Sequence, residues 1–394
     1  MALKILSVFG TRPEAIKMAP LVNSLKASPD VESVVCVTGQ HRQMLAQVLQ
    51  LFNIEPQHDL DLMTANQSLN GLMAKLVSAL DHVLDVEKPD RVLVHGDTTT
   101  AAATALAAFH RQIPVGHIEA GLRTGNLHQP WPEEMNRRVI DVVSDLMFAP
   151  TASSKANLVK ESLQGRTIVT GNTVIDALLQ TTHRIDSDAS LRSALDSQFP
   201  FLIDDKPLLL VTGHRRESFG SGFANICSAL GDLAHAGMVR IVYPVHLNPN
   251  VSGPVHETLG HTSNIHLIPP LDYLSFVRLM QRSSIILTDS GGVQEEAPAL
   301  GKPVLVMRDV TERPEAVAAG TVRLVGTERE SIVSSVGTLA GDVAARKEFA
   351  HRINPYGDGK ASDRIVAALT GKPFVEFQAD TCDPRVASES ALVC

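Results

Sequence analysis

Short apolar runs alternate with helical patterns along the first half of the chain. The runs are rich in Val, Ile and Leu, which is typical of strands buried on both faces of a parallel sheet. Helices between such strands place the loops that follow each strand at one edge of the sheet, where ligands of open α/β sheets bind. The predicted strands are Lys4–Phe9, Ser33–Thr38, Arg91–His95 and Pro114–Ile118, and the predicted helices are Glu14–Lys26, His41–Leu51, Leu69–Val86 and Thr98–His110.

The same pattern starts again after a less regular, polar stretch around Asp186–Lys206. A chain that repeats the pattern in this way is predicted to form two similar α/β halves with a cleft between them. Ser362–Thr370 is predicted to be a last helix. In the second half the predicted strands are Pro207–Thr212, Arg240–Val245, Ile265–Ile268, Ile285–Thr288 and Pro303–Met307, and the predicted helices are Phe223–His235, Tyr273–Gln281 and Val293–Leu300.

Composition narrows the class of protein. A length of 394 residues favours two domains, and 44% hydrophobic with 20% charged residues is an ordinary globular balance. The net charge of −8 disfavours binding to nucleic acids or anionic membranes. No targeting segment or transmembrane run stands out, so a cytoplasmic protein is expected. The cysteines are scattered and interpreted as reduced thiols: Cys36, Cys227, Cys382 and Cys394.

The turn after the first strand is a candidate phosphate site. Gly10 permits a close approach of the backbone, and Pro13 suits the first turn of the following helix. Arg12 and Lys17 then lie beside a helix N-terminus, which attracts anions. A solvated turn with surface cations is the alternative interpretation of this segment.

Carboxylates follow the later strands of the first half. Asp97 and Glu119 each come directly after a strand, while Glu133 and Glu134 begin a predicted helix. Each has an ordinary structural explanation, as a helix cap or a partner of the helix dipole. Together they predict a cluster of acid and base groups at one sheet edge.

The second half supplies basic and anion-binding groups. His214, Arg215 and Arg216 follow one strand, and His246 ends the next. The turn Ser290–Gly292 enters a helix and presents backbone N–H groups to an anion. Glu296 is placed to accept hydrogen bonds from ribose hydroxyls, and Arg313 is a further candidate phosphate contact.

The absent motifs exclude other chemistry. There is no GxxxxGK[ST] segment for ATP-type phosphoryl transfer, and the first turn lacks the GxGxxG fingerprint of a bound dinucleotide. No pair of metal ligands at helical spacing stands out. The sequence therefore predicts an enzyme that uses no cofactor and no metal.

The ordered set of motifs resembles the bacterial non-hydrolysing UDP-N-acetylglucosamine 2-epimerase family, over roughly residues 3–370. The resemblance rests on GTRPEAIK at 10–17, HGDT at 95–98, EAGLRT at 119–124, PEEMNR at 132–137, GHRRE at 213–217, DSGGVQEE at 289–296 and NPYGDG at 354–359.

The resemblance implies a GT-B-type fold of two Rossmann-like, doubly wound domains facing a cleft, and a homodimer. The implied N-terminal domain covers residues 1–172 plus a C-terminal helix at about 358–372 that crosses back to it. The implied UDP-binding domain covers 173–357, and residues 373–394 are predicted to be a flexible tail.

The resemblance also implies the reaction. UDP-N-acetylglucosamine loses its C2 proton and its bond to UDP, a 2-acetamidoglucal stays bound, and UDP adds back with protonation on the opposite face of C2. The matching acid and base candidates are Asp97, Glu119, Glu133 and His214. The matching UDP contacts are Arg12, Lys17, His214, Phe276, Ser290, Gly291, Gly292, Glu296 and Arg313.

Some relatives bind a second UDP-N-acetylglucosamine as an activator. A further activator contact in those relatives is an arginine, and Asn66 stands at the matching position. Leu271 replaces a glutamine that some relatives have near the uracil pocket. The activator positions that match are Gln40, Gln43, Glu133, Arg215 and His246.

Three other functions remain open at this point. A hydrolysing 2-epimerase would release N-acetylmannosamine and UDP, and a GT-B glycosyltransferase would need an acceptor. A regulator would bind the nucleotide sugar and leave it unchanged.

Overall fold

The structure is a computed structural model, and it describes residues 2–39, 42–62, 64, 67–202, 206–215, 220–311, 313–350 and 353–379. The chain divides into two compact units. Unit 1 contains Met1–Gln180 and Tyr356–Gln378, and the body of unit 2 is Thr181–Pro355. Among the described residues, none of the helices is both long enough and apolar enough to cross a membrane.

Unit 1 is built on a parallel sheet of seven strands in the order β3-β2-β1-β4-β5-β6-β7. Its strands are β1 (Leu3–Phe9), β2 (Val31–Val37), β3 (His58–Asp59), β4 (Arg91–His95), β5 (Val115–Ile118), β6 (Leu146–Ala149) and β7 (Arg166–Val169). Its first helices are α1 (Arg12–Ala27), α2 (Arg42–Leu51), α3 (Leu69–Glu87), α4 (Thr99–His110), α5 (Glu133–Val143) and α6 (Ala152–Lys160). Helix α7 (Thr173–Ser187) begins in unit 1 and continues past its boundary at Gln180.

Local sequence explains where the helices of unit 1 begin and pack. Thr11 caps α1 in a capping box with Glu14, and Pro13 occupies the first turn. Helix α4 is rich in alanine, a strong helix former whose small side chain lets the helix approach the sheet closely. The buried face of α4 packs into the same apolar core as α3 and strands β1 and β4.

Unit 2 repeats the topology with six parallel strands in the order β10-β9-β8-β11-β12-β13. Its strands are β8 (Leu208–Thr212), β9 (Arg240–Pro244), β10 (Ile265–Ile268), β11 (Ile285–Thr288), β12 (Val304–Val306) and β13 (Val322–Leu324). Its helices are α8 (Ala189–Ser197), α9 (Ser221–His235), α10 (Pro249–Leu259), α11 (Tyr273–Arg282), α12 (Gly291–Ala299), α13 (Pro314–Ala318), α14 (Arg329–Gly341) and α15 (Val343–Ala350).

The predicted α/β class is confirmed, because both sheets are parallel and doubly wound. In each sheet the strand order reverses beside the first strand of the unit, between β1 and β4 and between β8 and β11. The polar stretch around 186–206 was predicted to be irregular, but it contains helix α8. Arg278 on α11 holds that helix through paired contacts of 2.7 Å with both carboxylate oxygens of Asp196.

The chain returns to unit 1 at its C-terminal end. Helix α16 (Ala361–Leu369) packs against α1, and its first turn is capped by Asp176 of α7. The Asp176 carboxylate accepts from the backbone N–H of Ala361 at 3.2 Å and of Ser362 at 2.7 Å. The cap therefore comes from a distant helix instead of the residue preceding α16.

Within residues 373–379, which the sequence assigned to a flexible tail, Glu376 and Phe377 are held at the end of β7. The Glu376 carboxylate accepts from the backbone N–H of Val169 at 3.1 Å and pairs with Lys155. The backbone N–H of Phe377 donates to the carbonyl of Val169 at 2.8 Å, and its ring is buried. The C-terminal part of unit 1 runs to Gln378, and residues 380–394 of the predicted tail lie outside the described residues.

The Asp176 cap predicts a pH-dependent stability of known sign. Burial raises the pKa of Asp176 from 3.8 to about 6, against the hydrogen bonds that oppose it. The folded state thus binds this proton more tightly than the unfolded chain does, so the contribution to stability is complete below pH 3.8 and is lost as the pH rises through about 6. The test is urea unfolding of the wild type and of Asp176→Asn at several pH values. The free energy of unfolding of the wild type minus that of the variant should fall by about 3 kcal/mol between about pH 4 and 7.

A matched control is Asp188→Asn. Asp188 caps α8 by accepting from the backbone N–H groups of Ser190 and Leu191, but it is exposed. The Ser190 side chain and these N–H groups hold the pKa of Asp188 below its ordinary value, so its pH dependence should have the opposite sign. A free-energy difference for Asp176→Asn that stays constant with pH would contradict the prediction.

Candidate functional site

In unit 1 the strand order reverses between β1 and β4, and a buried carboxylate joins the turns that follow these two strands. Glu14 accepts from the backbone N–H of Gly10 at 3.0 Å and of Thr11 at 2.7 Å, both in the turn after β1. It also accepts from the Thr98 hydroxyl, after β4, at 2.6 Å. Burial raises the pKa of Glu14, although these donors oppose the shift. The turns that carry Arg12 and Asp97 are therefore held together by one side chain.

Glu119 is a buried carboxylate directly after β5. Its backbone is in the left-handed region with φ +67°, a conformation that a non-glycine residue adopts only when its surroundings require it. The carboxylate is paired with the ammonium of Lys17 and accepts from the Asn172 side chain at 2.8 Å. Lys17, predicted to bind phosphate, thus contacts a predicted acid–base group in this structure.

His95 lies beneath Glu119 at the end of β4. Its Nε2 is 3.8 Å from Glu119 Oε2, and its ring is 2% exposed. Burial lowers the pKa of His95 to about 3, with Lys17 and His117 acting in the same direction and Glu119 against them. Within the part of the chain that the structure describes, neither ring nitrogen has a hydrogen-bond partner. A neutral imidazole therefore lies against the Glu119 carboxylate.

Asp97 does not act as the helix cap that was its structural alternative. Thr98 caps α4 instead, through its hydroxyl and the backbone N–H of Ala101. The Asp97 carboxylate, 28% exposed, accepts from Arg137 Nε at 3.0 Å and Nη2 at 2.8 Å. The Asn136 side chain donates to the Asp97 carbonyl at 2.8 Å. Two neighbouring residues of α5 thus fix the backbone and the side chain of Asp97.

The two glutamates that begin α5 differ in their surroundings. Glu134 is fully buried and accepts from the backbone N–H of Thr124 at 3.0 Å and from Arg137 at 2.8 Å. Glu133 is half-buried, and among the described residues its Oε2 atom is buried without a hydrogen-bond partner. Glu134 has a structural role, whereas part of the Glu133 carboxylate is left for another partner.

In unit 2 a buried carboxylate also joins the two turns where the strand order reverses, between β8 and β11. Here the carboxylate lies on the turn after β11, whereas in unit 1 it follows β1. Asp289, after β11, accepts from the backbone N–H groups of His214 and Arg215, after β8, at 2.7 Å each. Its second oxygen lies 3.4 Å from His214 Nδ1, and the His246 ring stacks on that of His214 with centroids 5.4 Å apart. Burial holds the pKa of His214 below its ordinary value, although Asp289 opposes this.

The N-terminus of α12 forms a small anion-binding candidate. Ser290 occupies the cap position without a capping hydrogen bond from its side chain. The Arg313 guanidinium lies so close to Gly291 that an added Cβ would be 3.0 Å from its Cζ. Arg313 Nε also donates to Glu295 at 2.9 Å. The absence of a side chain at 291 therefore lets a cation approach the helix end.

Two further predicted UDP contacts lie on α12 and α11. Glu296 is buried and accepts from the hydroxyl of Tyr273 at 2.8 Å, while Phe276 is half-buried on α11. Arg12 begins α1 and is half-buried. Leu271 is half-buried just before α11. Among the described residues, no group of three or more His, Cys, Asp or Glu side chains could hold a metal ion.

Some of the predicted positions cannot be placed. Gln40, Asn66 and Arg216 lie outside the described residues, and of Gln43 only the helical backbone of α2 is described. Of the predicted activator contacts, Glu133, Arg215 and His246 are placed as given above. The activator site stays a prediction.

Sequence reasoning missed the residues that support these groups. Asn136 and Arg137 were part of a recognised motif, but nothing in their spacing assigned them to Asp97. Asp289 preceded the Ser-Gly-Gly turn and was not singled out, and Asn172 carried no sequence signal. Glu14 begins a predicted helix, but no local signal predicts that its carboxylate joins two turns.

The chain is similar to known proteins over most of its length. A family model described as "UDP-N-acetylglucosamine 2-epimerase" matches residues 23–370. The chain is 56% identical to UDP-N-acetylglucosamine 2-epimerase of Escherichia coli K12 over 93% of its length and 98% of the relative's. The crystal structure of UDP-GlcNAc 2-epimerase from Neisseria meningitidis, bound to UDP-GlcNAc, is 52% identical with a TM-score of 0.89, covering 94% of this chain and 100% of that one.

A more distant structure has the same architecture. The UDP-GlcNAc 2-epimerase of Methanocaldococcus jannaschii, in complex with UDP-GlcNAc and UDP, is 32% identical with a TM-score of 0.79. The superposition covers 94% of this chain and 100% of that chain.

Proposed function

The chain belongs to the UDP-N-acetylglucosamine 2-epimerase family, and we propose that it interconverts UDP-N-acetylglucosamine and UDP-N-acetylmannosamine without hydrolysis. The C2 proton is removed by a carboxylate as the C1–O bond to UDP breaks, which leaves 2-acetamidoglucal and UDP bound. UDP then adds back to C1 while a second group delivers a proton to the opposite face of C2. The reaction needs no redox partner, because the proton removed is replaced and the UDP is retained.

One observation carries the proposal: two carboxylates of unit 1 follow neighbouring strands, a third begins α5, and none of the three caps a helix. Asp97 is held by Arg137, and Glu119 is held by Lys17 and Asn172. Glu133 keeps a buried carboxylate oxygen that no described residue contacts by a hydrogen bond. Because two faces of C2 must be served, more than one positioned acid–base group is required. We assign this work to Asp97, Glu119 and Glu133, with His214 as a further candidate.

Unit 2 is assigned to UDP. The Ser290–Gly292 turn at the start of α12 and the adjacent Arg313 combine backbone N–H groups, a helix dipole and a guanidinium. Such an arrangement stabilises the negative charge that develops on the departing pyrophosphate, and a single positioned donor of this kind contributes about 10²–10³ in rate. Glu296 and Phe276 are assigned to the nucleoside, and Arg12, Lys17 and His214 to the phosphates or sugar.

We expect a cytoplasmic homodimer.

The proposal is tested by following UDP-N-acetylglucosamine and the pure protein in D₂O by NMR. The expected result is the manno product carrying deuterium at C2, with little free UDP. Free N-acetylmannosamine with an equal amount of UDP would instead identify a hydrolysing 2-epimerase. An unchanged substrate would overturn the proposal and point to a binding protein or an acceptor-dependent transferase.

A further inference from the structure

His117 on β5 is a fully buried imidazole whose two nitrogens both meet acceptors. Its Nδ1 is 2.6 Å from Oδ1 of Asp141, on α5. Its Nε2 is 2.7 Å from the carbonyl oxygen of Gly96, the residue before Asp97. The ring and the Asp141 side chain have no exposed surface. Neither residue is among the groups assigned above to proton transfer or to UDP binding.

A carbonyl oxygen can only accept a hydrogen bond, so His117 Nε2 must carry hydrogen. Asp141 can donate only if it is protonated. Its second oxygen, Oδ2, accepts from the Arg123 guanidinium at 2.7 Å, and a guanidinium this close favours the ionised form of a carboxyl group. An ionised Asp141 only accepts, so His117 Nδ1 must carry hydrogen as well. A neutral ring would leave two acceptors facing each other at hydrogen-bond distance.

The charged groups around the ring also favour a protonated His117. Asp141 Oδ2 accepts from Arg123 Nη2 at 2.7 Å, and Arg123 in turn pairs with Glu161 at 2.8 Å. With His117 protonated, the four groups comprise two cations and two anions. With His117 neutral, Arg123 would be the one cation in contact with the Asp141 carboxylate, which has no exposed surface, and Arg123 also pairs with Glu161. A buried carboxylate is stable only when it is well paired.

We propose that His117 is held as a buried imidazolium that positions the acid–base carboxylates of unit 1. Through Gly96 it fixes the peptide group that leads into Asp97. Through Asp141 it fixes α5, the helix that begins at Glu133 and carries the Asn136 and Arg137 contacts of Asp97. Glu119 lies two residues after His117, directly after the end of β5. His117 touches no reacting atom and acts through these neighbours.

The protonation state is tested on the full-length protein labelled with ¹⁵N. Long-range ¹H–¹⁵N spectra at neutral pH should show both His117 ring nitrogens protonated, with the signals assigned by their loss in His117→Gln. If that variant does not fold, the signals are assigned by their shift in Asp141→Asn, which keeps the ring. Detection of one unprotonated His117 nitrogen would overturn the proposal, whatever the protein catalyses.

The positioning role rests on the proposed epimerase function and has its own measurement. His117→Gln is expected to lower kcat by about 10–100-fold with KM nearly unchanged, because small displacements of catalytic groups have effects of this size. The ratio of C2 deuterium in recovered substrate to that in product should also shift, since Asp97 and Glu133 are displaced together but unequally. This ratio does not depend on the fraction of active protein, so partial unfolding cannot mimic it.

His110→Gln is the matched control. His110 is exposed at the end of α4, and its replacement removes the same ring without touching the cluster. A His117→Gln enzyme with the wild-type kcat and the wild-type deuterium ratio would overturn the positioning role. A wild-type enzyme that exchanges no C2 proton would reject the proposed function instead and leave the ¹⁵N result to stand alone.

Discussion

Replacing Glu119 with glutamine is expected to lower kcat for epimerisation by about 10²–10⁴-fold, the usual contribution of a positioned acid or base. The amide keeps the shape of the side chain and can still accept from Asn172, but it cannot take or return the C2 proton. Lys17 also loses its buried counter-ion. Initial rates, KM and deuterium incorporation at C2 should be measured together, because loss of exchange with retained UDP-sugar binding identifies a chemical role.

Glu32→Gln is a suitable control for the Glu119 variant. It breaks another Glu–Lys pair of unit 1, that of Glu32 with Lys4 at 3.0 Å, which lies at the start of β2 and β1 and thus at the opposite end of the sheet from Asp97 and Glu119. Its kcat should stay close to that of the wild type. Asp97→Asn and Glu133→Gln are expected to lose most of their turnover as well. Near-normal kcat in all three carboxylate variants would refute the assignment of roles.

Replacing Gly121 with alanine is expected to lower the free energy of unfolding of unit 1 by about 2–5 kcal/mol. Gly121 has φ +86°, a conformation that alanine adopts only with strain. An added Cβ would also overlap the backbone carbonyl oxygen of Ser154 and lie 2.9 Å from Leu158 Cγ, both on α6. The helix backbone cannot move aside without disturbing its packing. Urea unfolding of the two proteins measures the difference.

Gly125→Ala separates the two causes. Gly125 has φ +79°, but an added Cβ there would meet no described atom within 4 Å. Only the conformational cost should remain, about 1 kcal/mol. Equal losses in the two variants would show that steric overlap with α6 contributes nothing.

The sequence predicted the elements whose signal is local. Continuous apolar runs identified β1 and β4 to within a residue, since a strand buried on both faces needs no polar alternation. β3 could not be found, because it is the two-residue pair His58–Asp59 at the edge of the sheet. Helix α8 was hidden in a polar stretch, because most of its surface faces solvent.

In the candidate site, too, the sequence predicted some residues and missed others. Asp97 and Glu119 could be predicted because a carboxylate directly after a buried strand must lie at the sheet edge. Their supports could not be predicted. Thr98 donates to a carboxylate 84 positions away, and His117 bonds to one 24 positions away. Such contacts depend on strand register and helix rotation, which no short segment of sequence specifies.

Because unit 1 is made from both ends of the chain, its synthesis and its completion are separated in time. The ribosome finishes Thr181–Pro355 before it has made α16 and the residues that lie along β7. The body of unit 2 can therefore complete its folding while unit 1 still lacks its last helix. A chain truncated near its C-terminus would therefore lack part of unit 1, which is synthesised before unit 2 and carries Asp97 and Glu119.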